Sequence, residues 1–434
     1  MQDASILEMV KFQYGCSKQQ SLRAAPNVAE EEGRKTAPHA IHGSSKMTFR
    51  FDPYSPLVDA DPFPYYQRLR DEFPCFWSEE AGMWVLSRYA DILNALNDWQ
   101  TYSSAKGNLM TELPNRAGAT LGTTDPPRHD RLRGLIQHAF LKRNLESLAG
   151  PITEIAARAA AALNGKESFD FVEDFAAKFT SRVLIAALGL PPGDEDAIRE
   201  HAVLMVQSDP LTRQKGPKHL AAFEWMTDYA ARVIAERRKN PTNDLISHFS
   251  QAEIDGDRLD EREVLLTTTT LIMAGTESLG GFMAMFGLNM ADHADARRQC
   301  VAHPALLADA IEESLRFNTS AQRFRRCLTR DVELHGQTMK AGDFVCLAYG
   351  SGNRDERQFA NPDVYDIARK SRGHLGFGGG THACLGTSIA RMGVKIALEQ
   401  FHKVVPDYRR VETELPWMPS STFRSPMRLV LVRA

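Results

Sequence analysis

The sequence predicts a mainly α-helical protein with a few short β-rich stretches, on three observations. Apolar residues recur at helical spacing through most of 128–300 and again over about 385–401. Period-two alternation is confined to short runs at 75–87, 323–350 and the C-terminal end. Of the 434 residues, 43% are hydrophobic and 25% charged, the balance of an ordinary globular chain with a large core. By length alone such a chain would divide into two or three domains.

The elements follow in order. Residues 1–46 are polar, rich in Ala, Glu, Lys and Ser, and lack the apolar block of a signal peptide. They read as a disordered N-terminal extension, with Met47 as an alternative start. A short helix is expected over 64–72, then strands at 75–78 and 83–87 joined by the hairpin signal Glu79-Glu80-Ala81-Gly82. Residues 101–122, rich in Gly, Ser, Asn and Pro, read as a long loop of the kind that tends to be functional. Ala-rich helical stretches at 155–163 and 176–188 are parted by Asn164-Gly165. Hairpins are expected across 323–350, turning at His335-Gly336 and Ala341-Gly342, and the chain ends as a strand.

A net charge of −3 gives no reason to invoke nucleic acid or an anionic membrane as a partner. The six cysteines form no CxxC pair, which suits a reducing cytosol. No stretch is read as the run of about eighteen apolar residues that a membrane span needs.

The most informative segment is Phe377-Gly378-Gly379-Gly380-Thr381-His382-Ala383-Cys384-Leu385-Gly386. It sets one cysteine in a glycine-rich loop at the start of a helix, where the helix dipole and free N–H groups favour a thiolate suited to binding a metal. Glycines let the backbone curl under a flat cofactor, and Phe377 can cover the sulfur. Position by position the run resembles the haem-binding loop of the cytochromes P450. The resemblance covers roughly 51–434 and implies the P450 fold, one mostly helical body with a smaller β-rich lobe, as a single haem domain over 47–434. It implies haem b (iron protoporphyrin IX) with Cys384 as the thiolate ligand of its iron, and Phe377, Gly378 and Gly386 shaping the loop.

A second site lies in the apolar helical pattern over 261–290, interrupted by Ala274-Gly275-Thr276-Glu277-Ser278. A Glu buried in an apolar helix is costly, and a mid-helix Gly costs about 1 kcal/mol relative to Ala, so function is expected to override stability here. The resemblance makes this the distal helix crossing the haem face, opened at Gly275 to leave a groove for dioxygen. Ala274 and Gly275 then border the cofactor, and Glu277 feeds protons inward. Ser278 bonds the carbonyl of Ala274 or the activated oxygen. The family usually has Thr in place of Ser278, and serine lacks the methyl that fixes the rotamer.

Glu313 and Arg316 stand at i and i+3, the family's E-x-x-R position, where the resemblance implies a buried structural network with the loop before Cys384. It also implies that His129, Arg133, Arg326 and His382 contact the haem propionates. Arg128, Arg131, Arg391 and Lys395 are read as a positive patch steering an acidic electron donor, expected to be a separate ferredoxin with its reductase. The resemblance puts Thr270, Met273, Ala274, Gln322 and Phe324 at the substrate, with Ser103 and Ser104 as polar handles from the 101–122 loop.

The expected activity is therefore that of a soluble, cytoplasmic, bacterial-type monooxygenase, inserting one atom of O2 into a C–H bond. A small aromatic compound undergoing hydroxylation or O-demethylation is the substrate read from this pocket, with terpenoids and fatty acids as open alternatives. A haem-thiolate peroxygenase or isomerase, or a haem-based ligand sensor, is the alternative. Glu277 and Ser278 argue against the first, because members of that sort usually lose the acid–alcohol pair.

Overall fold

The computed structural model describes residues 49–434 apart from positions 114, 141, 210 and 213. The expected N-terminal extension, 1–46, and the alternative start at Met47 lie outside the described residues. Residues 50–434 form one compact unit.

The helix Glu261–Asp292 runs through the middle of the core. A capping box starts it: Asp260 accepts from the Glu263 amide at 2.7 Å, and Glu263 accepts from the Asp260 amide at 3.1 Å. Its buried residues lie on every face, as in a helix enclosed by protein. This corrects the membrane reading. An 18-residue window here has mean hydropathy 1.3, long and apolar enough to span a bilayer, but 67% of that window is buried inside the protein. Thr and Gly interspersed among the apolar residues hid the run.

The helix is also continuous through Gly275 where an opening was expected. A Cβ at Gly275 would lie 2.5 Å from Leu184 Cδ1, the flexible end of a side chain on the neighbouring helix Ala177–Leu188. Helices Lys142–Ala161 and Thr387–Val404 pack against each other on the other side of the core.

The β-rich part holds a five-stranded sheet in the order Cys75–Ser78, Met83–Leu86, Phe344–Leu347, Phe324–Leu328, Tyr102–Ser103. Met83–Leu86 and Phe344–Leu347 pair in parallel and the other neighbours antiparallel. The hairpin expected at His335-Gly336 joins Val332–Leu334 to Gln337–Met339. The terminal strand is Val430–Arg433, held between Ser168–Asp170 and Tyr408–Arg410. The segment 101–122 is more ordered than its composition implied. Glu112 accepts from the amides of Asn108 and Leu113, both at 2.9 Å, and so ties it into a closed turn.

Candidate active site

The loop carrying Cys384 is built from two short 3-10 turns, Leu375–Phe377 and Gly380–His382, drawn together by the Cys384 amide donating to the Phe377 carbonyl at 3.0 Å. Gly380 is required twice over: its φ is +60°, and a Cβ would lie 2.0 Å from the Leu96 carbonyl oxygen. The helix that follows begins at Thr387, beyond Gly386.

Cys384 lines a cavity of about 380 Å³, and its exposed surface lies there. Burial pushes its thiol up from 9.0, against the Gly386 amide, Thr387 and the cations of Arg133 and Arg391. A thiol of this kind loses its proton when a metal binds it. Arg391 lies 4.9 Å over the Phe377 ring and forms a two-pronged pair with Glu312. Burial would raise Glu312, but His374 and Arg391 hold it down at about 2.

His129, Arg133, Ala274, Gly275, Arg326, Phe377, Gly378, His382 and Gly386 line the same cavity. At one side the rings of His129 and His382 meet at 4.6 Å, edge to face. The Nε2 atom of each is buried and has no hydrogen-bond partner, although Asp125 Oδ1 lies 4.0 Å from that of His382. Arg133 donates to the Ala383 carbonyl at 2.9 Å, and Arg326 to the Arg325 carbonyl at 2.8 Å. Desolvation, then the charges of Arg326, His129 and Arg133, lowers His382 to about 3. Two orphaned ring nitrogens beside two guanidinium groups form a donor set that fits the carboxylates of a flat cofactor lying on Cys384.

Across the cavity the central helix presents Thr270, Met273, Ala274, Gly275 and Ser278. Ser278 Oγ donates to the Ala274 carbonyl. Glu277 does not line the cavity; it is 8% exposed, and burial raises it to about 7 against the opposing charge of Arg199. Phe324 lines the cavity and stacks on Tyr349 at 5.3 Å.

Three substrate expectations are corrected. Gln322 is fully buried away from the cavity, donating to the Thr319 carbonyl at 2.6 Å and accepting from Tyr66. Ser103 and Ser104 do not line the cavity either: Asp125 accepts from the Ser103 hydroxyl and from the Ser104 amide. Sequence reasoning missed Asp125, although it directly precedes Pro126-Pro127 and the helix Arg128–Gln137, a helix-start signal. It also missed Asn108 and Arg116, which line the cavity from the 101–122 segment.

Glu313 and Arg316 are wholly buried and joined by two hydrogen bonds of 2.8 and 2.7 Å. Arg316 also donates to the carbonyls of Asn353 and Pro362, and Glu313 accepts from Ser371 and the Asp366 amide. The pair thus fastens its helix to the segment leading into the cysteine loop. The positive patch is corrected. Arg131 pairs with Asp257 and Glu263, Arg128 approaches Glu263, Arg391 pairs with Glu312 and Lys395 with Glu399.

The cytochrome P450 family model matches residues 197–403. The chain is 34% identical over 390 residues to the mycinamicin IV hydroxylase/epoxidase of Micromonospora griseorubida, covering 87% of this chain and 94% of that one. It is 31% identical over 400 residues to the epothilone C/D epoxidase of Sorangium cellulosum, with 87% and 94% covered. Among solved structures, cytochrome P450 PksS of the Bacillus subtilis bacillaene polyketide synthase matches with a TM-score of 0.82 at 28% identity, over 88% of this chain and 100% of that one. Cytochrome P450 CYP109Q5 from Chondromyces apiculatus matches with a TM-score of 0.79 at 29% identity, over 88% and 98%. The chain belongs to the cytochrome P450 family, with the fold, haem-thiolate cofactor and O2-dependent monooxygenase activity that define it.

Proposed function

We propose that this P450 hydroxylates or O-demethylates a small organic substrate, an aromatic one in the narrower reading, using haem b held by Cys384. A separate ferredoxin and its reductase supply the electrons, in the cytoplasm. The observation that carries the reading is the meeting, in one cavity, of the Cys384 thiol, the orphaned Nε2 atoms of His129 and His382, and Ser278 opposite. Bound haem supplies the redox centre at which O2 is reduced, one atom going to the substrate and the other to water.

The chain's own residues then divide the work. His129, Arg133, Arg326 and His382 hold the propionates. Phe377, backed by Arg391, shields the sulfur from water. Glu277, poised near neutrality, is the proton reservoir, and Ser278 orients the last donor by exchanging its bond to the Ala274 carbonyl for one to the reacting oxygen. Thr270, Met273, Ala274 and Phe324 enclose the substrate with mostly apolar surface. Glu313 and Arg316 have a structural role only.

Epoxidation is the second reading, favoured by the activities for which the mycinamicin and epothilone relatives are named. Turnover with a ferredoxin, its reductase and a panel of aromatic ethers, arenes and alkenes separates the two. Formaldehyde or a phenol supports the first and an epoxide the second. Product formed with peroxide alone, and none with the electron-transfer pair, contradicts both.

A further inference from the structure

Arg116 is the charged side chain that reaches the cavity from the 101–122 segment, apart from the basic cluster assigned to the cofactor. It is 3% exposed. Its Nε donates to Glu112 at 2.6 Å, and its Nη2 donates to Glu112 and to Asn108 Oδ1. Nη1 meets no acceptor among the described residues. Asn108 lines the cavity too, and its Nδ2 packs closely over Gly122, where a Cβ would approach it to 3.2 Å.

The surrounding charges do not balance. Glu112 is already committed to the amides of Asn108, Leu109 and Leu113 as well as to Arg116. Arg325 is half-buried nearby; its Nη groups reach the carbonyls of Met110 and Lys106, and its Nε is buried without a partner. Lys215, from the segment after helix Glu195–Val206, donates to the carbonyls of Met205 and Gln207. Burial, with Arg116 adding to it, lowers Lys215 to about 7, and Glu112 is the one carboxylate opposing that shift. Two arginines, and a lysine whose charge burial already disfavours, therefore share one acid in a place shielded from water, where uncompensated charge is costly.

We propose that this end of the cavity binds the carboxylate of an apolar organic acid, Arg116 taking it through Nη1 and Asn108 through Nδ2, with the acid's apolar body extended toward Cys384. The proposal narrows the substrate class and rests on the reading that the cavity over Cys384 is the substrate site.

The test is calorimetric titration of the purified holoenzyme with 3-phenylpropanoate, dodecanoate and their methyl esters. The carbon monoxide spectrum of each preparation reports separately on haem-thiolate ligation, so a failure of that reading is recognised independently. Each acid is expected to bind about tenfold or more tighter than its ester, as for a charge-assisted pair. Arg116→Gln should bring acid and ester to within about twofold while leaving the ester affinity in place. Asn108→Asp, which keeps side-chain size and sets a negative charge at the same spot, should weaken the acid at least about tenfold and spare the ester, deciding the matter if Arg116→Gln does not fold. Acids binding no tighter than esters, no binding by either, or discrimination that survives these substitutions overturns the proposal.

Discussion

Glu277 carries a consequence that its burial alone dictates. Its folded-state value of about 7 lies above the ordinary 4.5, so the native state holds a proton that the unfolded chain releases. The sign follows: this contribution is fully present below about 4.5 and is lost as pH rises through 7. Glu277→Gln should therefore gain stability relative to the parent as pH rises across that window, by at most about 3 kcal/mol. Denaturant melts at pH 5 and 8 check this, and a constant difference would refute it. In turnover the same substitution should flatten the pH dependence near neutrality. Ser278→Ala should divert reducing equivalents to hydrogen peroxide, with product per NADH consumed falling several-fold; unchanged coupling would remove Ser278 from the proton path. At this scale the sequence was legible wherever a residue broke a local rule, as Glu277 and Cys384 do. It was silent on Arg116 and Asp125, whose meaning arises from partners that no local pattern reveals.

Among the elements, the helix Leu307–Phe317 and the segment 353–371 are held together by Glu313 and Arg316, both fully buried. Removing one partner strands the other in a dry site, so Arg316→Leu should cost about 3–5 kcal/mol. The expected result is poor haem retention and a depressed thermal midpoint; a variant that keeps parental stability would show the network to be dispensable. Helix and strand positions were largely readable from periodicity, as at Cys75–Ser78 and at Glu261–Asp292. The misreadings arose where tertiary contacts act. Gly275 looked like a helix interruption, but the helix runs through it with Leu184 packed alongside. Gln322, Ser103 and Ser104 looked like pocket residues and serve as internal ties.

Over the whole molecule, charge arrangement matters more than charge count. Sequence alone lined up Arg128, Arg131, Arg391 and Lys395 as a positive patch, and folding brings acids from distant segments onto the three arginines and Glu399 onto Lys395. Exposed pairs of this kind contribute little, so Lys395→Gln should leave the KM for a ferredoxin donor within about twofold at physiological salt. A large rise would show that Lys395 meets the donor directly. The sheet order, with Met83–Leu86 parallel to Phe344–Leu347, could not be read from one chain because pairing over such separations leaves no local signal. The cysteine loop could be read, because its glycines and its cysteine form one continuous local pattern.

The account depends on sulfur from Cys384 reaching iron, and the optical spectrum of the reduced protein under carbon monoxide tests that most directly. It should show the strongly red-shifted Soret band of a thiolate-ligated haem, and Cys384→Ala should abolish that band. A parent spectrum typical of nitrogen or oxygen ligation, or a protein that takes up no haem, would contradict it.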